Sequence, residues 1–278
     1  MRSARLIPTL AAAGVCLATL CVTVADASAP AAKPKPPAGY RVVVSPQLPS
    51  PNASDSRGIV RCPTGTVPLG GGVIAQSPSI LANVSSSFPS GRTWVGDVKN
   101  GSGAATTFQV EVICAKRPKG YAVVRSPNTV NRSGSQTRAV ATCPVGTKPL
   151  GGGGTSIDFN VFVDMHSTGP HGRTWVVKEN NAGPNNSGLN AVAVCGKVNG
   201  YRVVKGLPFT IPAAGQKGAS AVCKAPAVPI SGGVLSPSTS VAVNVGGSIP
   251  SGDRWDSFVT NNTGFPATAT PVAVCATR

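Results

Sequence analysis

A Gly-Tyr pair occurs three times in the 278-residue chain, at Gly39-Tyr40, Gly120-Tyr121 and Gly200-Tyr201. Each time a cysteine follows the tyrosine by 22 residues, a tryptophan follows the cysteine by 32, and a second cysteine follows the tryptophan by 20. Tyr40, Cys62, Trp94 and Cys114 are thus repeated as Tyr121, Cys143, Trp175 and Cys195, and again as Tyr201, Cys223, Trp255 and Cys275. No other feature constrains the fold as much. Three copies of about 80 residues must each build the same unit, and whatever one copy leaves open its neighbours are available to close.

Within a copy the pattern is one of short strands. Tyr40 to Val44, Tyr121 to Arg125 and Tyr201 to Lys205 are β-branched and strand-like. A polar stretch without periodicity follows, and a second strand ends on the first cysteine, as in Gly58-Ile59-Val60-Arg61-Cys62. The next run keeps one proline (Pro68, Pro149, Pro229) and one glycine pair (Gly71-Gly72, Gly152-Gly153, Gly232-Gly233) in every copy. Such a pair beside a strand marks a bulge, a bend, or a segment approached too closely for a side chain. It is not a phosphate cradle, because no helical pattern, Gly-Lys-Ser/Thr or βαβ context accompanies it. Pro89-Ser90-Gly91, Pro170-His171-Gly172 and Pro250-Ser251-Gly252 predict a hairpin turn ahead of each tryptophan. The last strand alternates, with Phe108, Val110, Val112 and Cys114 on one face and Gln109 and Glu111 on the other.

No segment sustains a 3.6-residue apolar period, so the fold class is all-β, with five or six short strands in each copy. The copies span 39–119, 120–199 and 200–278. Only Ala115 to Lys119 and Gly196 to Asn199 join them, and connections that short favour copies packed against each other. Two arrangements satisfy this: a compact pseudo-threefold body like a β-prism, with the glycine pairs near its centre, or three abutting β-sandwiches.

The chain begins as an exported protein does. Arg2 and Arg5 precede a mostly apolar stretch over 6–25, and Ala25-Asp26-Ala27 or Ala27-Ser28-Ala29 offers a cleavage site, so 1–29 is predicted to be a signal peptide. An uncleaved anchor is the competing reading, weakened by Pro8, Thr9, Thr19 and Thr23. Residues 30–38, with Lys33 and Lys35 among prolines, read as an extended spacer. Cleavage leaves no membrane span and six cysteines, one pair per copy. Export makes these disulfides, and of the 15 connectivities the identical spacing favours pairing within copies: Cys62 with Cys114, Cys143 with Cys195, Cys223 with Cys275. The net charge of +16 attracts anionic polymers, glycans or surfaces, and equally serves to keep a secreted protein soluble.

Catalytic signals are sparse. His166 and His171 occur only in the middle copy, near Asp158 and Asp164, without a nucleophile-elbow pattern. The carboxylates available for sugar chemistry are Asp97, Glu111, Asp158, Asp164, Glu179, Asp253 and Asp256, and they do not recur at equivalent positions. Two histidines and no close Cys-x-x-Cys exclude a zinc site, and no cofactor motif is present. What recurs is Tyr, Trp, Asn, Gly, Pro and Cys. Trp94, Trp175 and Trp255 read either as core residues over the disulfides or as exposed platforms for a sugar ring. In the second reading Arg92, Arg173, Arg254, Asn100, Asn181 and Asn261 supply hydrogen bonds; each asparagine reads equally as a turn residue. Aromatics this sparse argue against nucleic acid as a partner.

The run Cys-Pro-x-Gly-Thr-x-Pro-Leu-Gly-Gly-Gly, the tryptophan 32 residues after the cysteine and the closing Val-x-Val-Cys resemble an uncharacterised β-repeat module of exported bacterial proteins. The likeness covers Gly39 to Arg278 and is clearest in the first two copies; the third has Cys223-Lys224 and lacks one glycine. It implies location and architecture, and no activity. The functional expectation is a secreted or envelope-associated, non-enzymatic protein that binds a glycan or anionic cell-wall polymer through three weak equivalent sites, since triplication turns weak sites into avidity. The alternatives are a structural surface protein without a ligand, and a secreted hydrolase working through the middle copy.

Overall fold

The computed structural model describes residues 33–157 and 161–278. The export segment 1–29 and Asp158 lie outside the described residues. Copy 1 contributes β1 (Arg41–Val44), β2 (Leu48–Ser50), β3 (Ser54–Arg61), β4 (Val67–Gln76), β5 (Ala82–Ser90), β6 (Thr93–Asn100) and β7 (Thr106–Ala115). Copy 2 contributes β8 (Lys119–Arg125), β9 (Thr129–Asn131), β10 (Ser135–Thr142), β11 (Lys148–Ser156), β12 (Val163–His171), β13 (Thr174–Asn181) and β14 (Ser187–Lys197). Copy 3 contributes β15 (Asn199–Lys205), β16 (Phe209–Ile211), β17 (Gly215–Val222), β18 (Val228–Leu235), β19 (Val243–Ser251), β20 (Arg254–Asn261) and β21 (Ala267–Thr277). Each copy therefore has seven strands where its pattern predicts five or six. The extra ones are the three-residue β2, β9 and β16, too short to display a period of two, and they pair with the last strand of their own copy.

The strands assemble into three seven-stranded sheets, and every sheet is shared by two copies. One runs β1-β7-β4-β19-β20-β17, the second β3-β6-β5-β11-β14-β8, the third β10-β13-β12-β18-β21-β15. A copy gives its first, second, fourth and seventh strands to one sheet and its third, fifth and sixth to the next. Copy 1 joins copy 2, copy 2 joins copy 3, and copy 3 joins copy 1. The ring is closed, which is the pseudo-threefold prism; separate sandwiches are excluded because no sheet belongs to one copy. The three disulfides form within copies, each closing 52 residues.

The retained residues build the seams. At Pro68/Gly70, Pro149/Gly151 and Pro229/Ser231 the register of the fourth strand slips by one residue, a bulge that a proline tolerates because it has no ladder hydrogen bond to lose. The bulge leaves the proline carbonyl free. It is taken by a tyrosine hydroxyl of the next copy: Tyr40 donates to Pro229 at 2.8 Å, Tyr121 to Pro68 at 3.0 Å and Tyr201 to Pro149 at 3.1 Å. Just past each bulge the first glycine of the pair lies under the indole. A Cβ on Gly71, Gly152 or Gly232 would sit 2.5, 2.5 or 2.2 Å from the ring of Trp94, Trp175 or Trp255. The second glycine lies at the seam itself, where a Cβ on Gly72, Gly153 or Gly233 would meet the carbonyl oxygen of Ser248, Ser87 or Thr168 at 1.8, 1.6 or 2.0 Å.

Those same three residues accept the indole N–H of their own copy, Trp94 to Ser87 at 2.9 Å, Trp175 to Thr168 and Trp255 to Ser248 at 2.8 Å. Each tryptophan thus fixes the strand that the neighbouring glycine must approach. Gly71, Gly152, Gly153 and Gly232 line a void of about 10 Å³ to which all three copies contribute, which places glycines of every pair at the packing centre.

The last strand departs from simple alternation. Val112, Ile113 and Cys114 are all 0 % exposed, and Glu111 is 9 % exposed. Its second face is covered by the adjoining copy, where Ile113 packs in one cluster with Cys223, Trp255 and Cys275.

Candidate functional site: the basic end of the prism

The recurring polar and aromatic residues prove to be structural. Trp94, Trp175 and Trp255 are each 0 % exposed, so no ring face is left for a sugar, and the exposed-platform expectation is overturned. The glycine beneath and the disulfide alongside hold each ring instead. Asn100, Asn181 and Asn261 are also fully buried. Asn100 donates from Nδ2 to the carbonyls of Ser50 (2.8 Å) and Ala104 (2.9 Å) and accepts the N–H of Ser102 at Oδ1. Asn181 does the same with Asn131, Asn185 and Gly183. Asn261 repeats it with Pro212, Phe265 and Thr263. All their bonding capacity goes into locking two loops together, which corrects the ligand-binding expectation for them.

The arginines do not form an equivalent set. Arg92 is half-buried and gives Nη2 to the carbonyl of Cys62 at 2.9 Å. Arg254 stands one place nearer its tryptophan and pairs with Asp256 at 2.9 Å. Arg173 is exposed at the hairpin turn. Three identical sugar sites around the tryptophans are therefore not built.

The residues considered for catalysis are scattered or enclosed. His166 is 0 % exposed; its Nδ1 lies 3.2 Å from Ser167 Oγ, and burial depresses its pKa to about 4. His171 is exposed as the last residue of β12. Asp97 is held bidentately by Arg57 at 2.8 and 2.9 Å. Asp164 and Glu179 are brought together with Asp55, which sequence inspection did not single out, around the buried Lys99.

What the fold does bring to its surface is positive charge. Among the described residues every Lys and Arg except Arg92, Lys99 and Lys178 is exposed, whereas Asp253 is the one exposed acid. Strand register places many of these cations at the end that carries the disulfides. Arg41 lies opposite Cys114 and Arg202 opposite Cys275. Lys197 pairs in register with Lys119, and Lys148 lies opposite Gly196. Arg202 also donates to the carbonyl of Lys224 at 2.7 Å.

Of the stretch 30–38, read from the sequence as an extended spacer, the described residues 33–38 are bonded onto this end. Lys35 N–H donates to the Pro226 carbonyl, Arg278 N–H to the Lys35 carbonyl and Lys116 N–H to the Ala38 carbonyl, at 2.7, 2.7 and 2.8 Å. They close one wall of a cleft of about 640 Å³ bearing Lys35, Lys116 and Arg278. The charge cluster Lys116, Arg117 and Lys119 was visible in the sequence; Lys148 and Lys197, distant in sequence, join Lys119 only through the pairing of β8, β14 and β11.

Like charges facing each other across a ladder destabilise it. A surface that tolerates Lys119 beside Lys197, with hardly an acid to offset them, has its field directed outward and focused on anions. Compared with known protein families and with curated proteins, the chain matches none.

Proposed function

We propose that this is a secreted, non-enzymatic protein that holds an anionic extracellular or cell-envelope polymer against the disulfide end of the prism. The observation that carries this reading is the separation of charge: nearly all cations are exposed and many gather at one end, whereas of the described acids all but Asp253 are at least partly buried. The corners differ in composition, with Lys119, Lys148 and Lys197 on one sheet, Arg202 on the second beside Lys224 of the loop after β17, and Lys35, Arg41, Lys116 and Arg278 at the third. A long polymer spans several such corners, each weak, and gains avidity by remaining tethered when one lets go. The rigid three-sheet body contributes by keeping the corners at fixed spacing.

Titration of labelled poly(glycerol phosphate), with neutral dextran as comparison, tests it by fluorescence anisotropy. Binding is expected at low ionic strength and should weaken steeply toward physiological salt, where exposed charges are screened beyond about 8 Å. The triple variant Lys119→Gln, Lys148→Gln, Lys197→Gln should bind about tenfold more weakly with a melting temperature equal to or slightly above the parent's, because it removes the facing like charges. Equal affinity for dextran, or indifference to both salt and the triple variant, would overturn the reading.

A further inference from the structure

At the end of the prism opposite the disulfides a pocket of about 220 Å³ opens on the pseudo-threefold axis. Four positions of the repeat line it, and each position is represented from all three copies. The rim is apolar, with Ile80, Val161 and Val241 at one position and Leu81 and Phe162 at the next; Leu81 and Phe162 are 43 % and 53 % exposed. Matching backbone bonds hold the rim: Gly101 N–H to the Leu81 carbonyl, Ala182 to Phe162 and Asn262 to Ala242, at 2.8 to 2.9 Å.

The third position supplies the polar wall, with Asn83, Asp164 and Asn244, all at least nine-tenths buried. Two of the three are occupied by the protein. Asn83 Oδ1 accepts the hydroxyl of Thr260 at 2.7 Å, and Asn244 Oδ1 accepts Nδ2 of Asn180 at 2.8 Å. Asp164 breaks the symmetry. It puts a carboxylate where the other copies have an amide, and its Oδ1 has no hydrogen-bond partner although the residue is 8 % exposed. A buried acceptor left unmade costs the full desolvation of that group.

We propose that this axial pocket binds a small organic ammonium, its charged nitrogen drawn to the carboxylate of Asp164 and its short apolar body held between Leu81, Phe162 and Val241. The charges around the site favour a cation. Asp55, Asp164 and Glu179 are grouped around the buried Lys99, with the Arg57–Asp97 pair beside Asp55, so that four carboxyls stand against two cations. Burial raises Asp164 to about 7, and a cation beside the carboxylate relieves that cost. A metal ion fits poorly: among the described residues no three His, Cys, Asp or Glu are placed to hold one, and the amide oxygens of Asn83 and Asn244 are already committed. An anion would meet the Asp164 carboxylate. The volume corresponds to about seven waters at about 30 Å³ each, which sets the size of the body at that of a short alkyl chain.

The test uses the full oxidised chain, isotope-labelled, with hexylammonium as the probe and hexanol and hexanoate as matched controls. At pH 8 Asp164 is largely ionised, and a primary ammonium stays charged, as lysine does, to about pH 10. Hexylammonium should saturate amide shifts at Gly101, Ala182 and Asn262, while hexanol and hexanoate bind at least tenfold more weakly. Asp164→Asn installs the residue that the other two copies carry, so its fold is preserved, and it should lose the ammonium preference tenfold or more. Leu81→Ala keeps Asp164 and should shrink the advantage of hexylammonium over methylammonium. The proposal is overturned by no saturable shift, by equal binding of hexanol, by unchanged hexylammonium binding in Asp164→Asn, or by a divalent cation shifting the same amides in preference to the ammonium. It does not depend on the polymer-binding end, and either can fail alone.

Discussion

Substitution of Gly153 by alanine isolates the force that makes three copies into one body. The added Cβ would lie 1.6 Å from the Ser87 carbonyl oxygen and 2.8 Å from its carbon, both backbone atoms, so no rotamer change relieves the overlap. The seam of β11 against β5, which pairs Gly154 with Ser87, has to open by more than 1 Å. Overpacking of this kind costs about 1–3 kcal/mol. The shift also weakens the backbone bonds that cross the seam, at about 1 kcal/mol each, and disturbs Ser87 Oγ, the acceptor of the Trp94 indole. The sum is about 3–5 kcal/mol, or a fall of about 6–20 °C in a chain of this size. Gly264→Ala serves as the control, because nothing lies within 4 Å of its Cβ and its backbone is unstrained, so it should be neutral or slightly stabilising. Calorimetry and near-ultraviolet circular dichroism, which reports tryptophan packing, give the two readouts. A Gly153→Ala protein that melts within 2 °C of the parent with an unaltered tryptophan signal would refute the claim that the second glycine exists for the seam.

Tyr121→Phe removes the hydroxyl that Pro68 of the preceding copy accepts, and leaves a buried carbonyl unpaired. A loss of about 1–2 kcal/mol by chemical denaturation is expected, and the same for Tyr40→Phe and Tyr201→Phe; no loss at any of the three would show that the hydroxyls do not tie the copies. Stability should also fall with rising pH. Burial raises Asp55, Asp164, Glu111 and Glu179 to about 6, 7, 7 and 8. Between the unfolded values near 4 and these folded ones the native state binds the extra protons, so each unit of pH removes stability. His166, lowered to about 4, acts in the opposite sense between about pH 4 and 6.5, but it is one group against four. The melting temperature is expected to drop by at least about 5 °C from pH 5 to pH 8, and less in Asp164→Asn. A melting temperature that stays level or rises over that range contradicts the buried acids.

The sequence by itself determined the repeat, the all-β class and the disulfide pairing, because these depend on spacing and on periods of two along one strand. It also marked the right residues as indispensable, the tyrosine, proline, glycine pair, tryptophan and asparagine, since copies can be compared with one another. It left open what those residues do. A tryptophan at a fixed interval looks the same whether its ring faces a sugar or a glycine, and only the approach of Gly71, Gly152 and Gly232 decided that it is enclosed. The exchange of strands between copies, the gathering of Lys119, Lys148 and Lys197, and the axial pocket were decided by tertiary structure alone. The strand exchange and the pocket join residues from different copies, the lysines join three strands of one copy that are distant in sequence, and local periodicity carries no information about which strands lie side by side. Asp164 shows the boundary most clearly: the alignment of copies reveals that it replaces Asn83 and Asn244, but that its Oδ1 is buried without a partner and that the residue lines a pocket on the axis follows only from the closed ring.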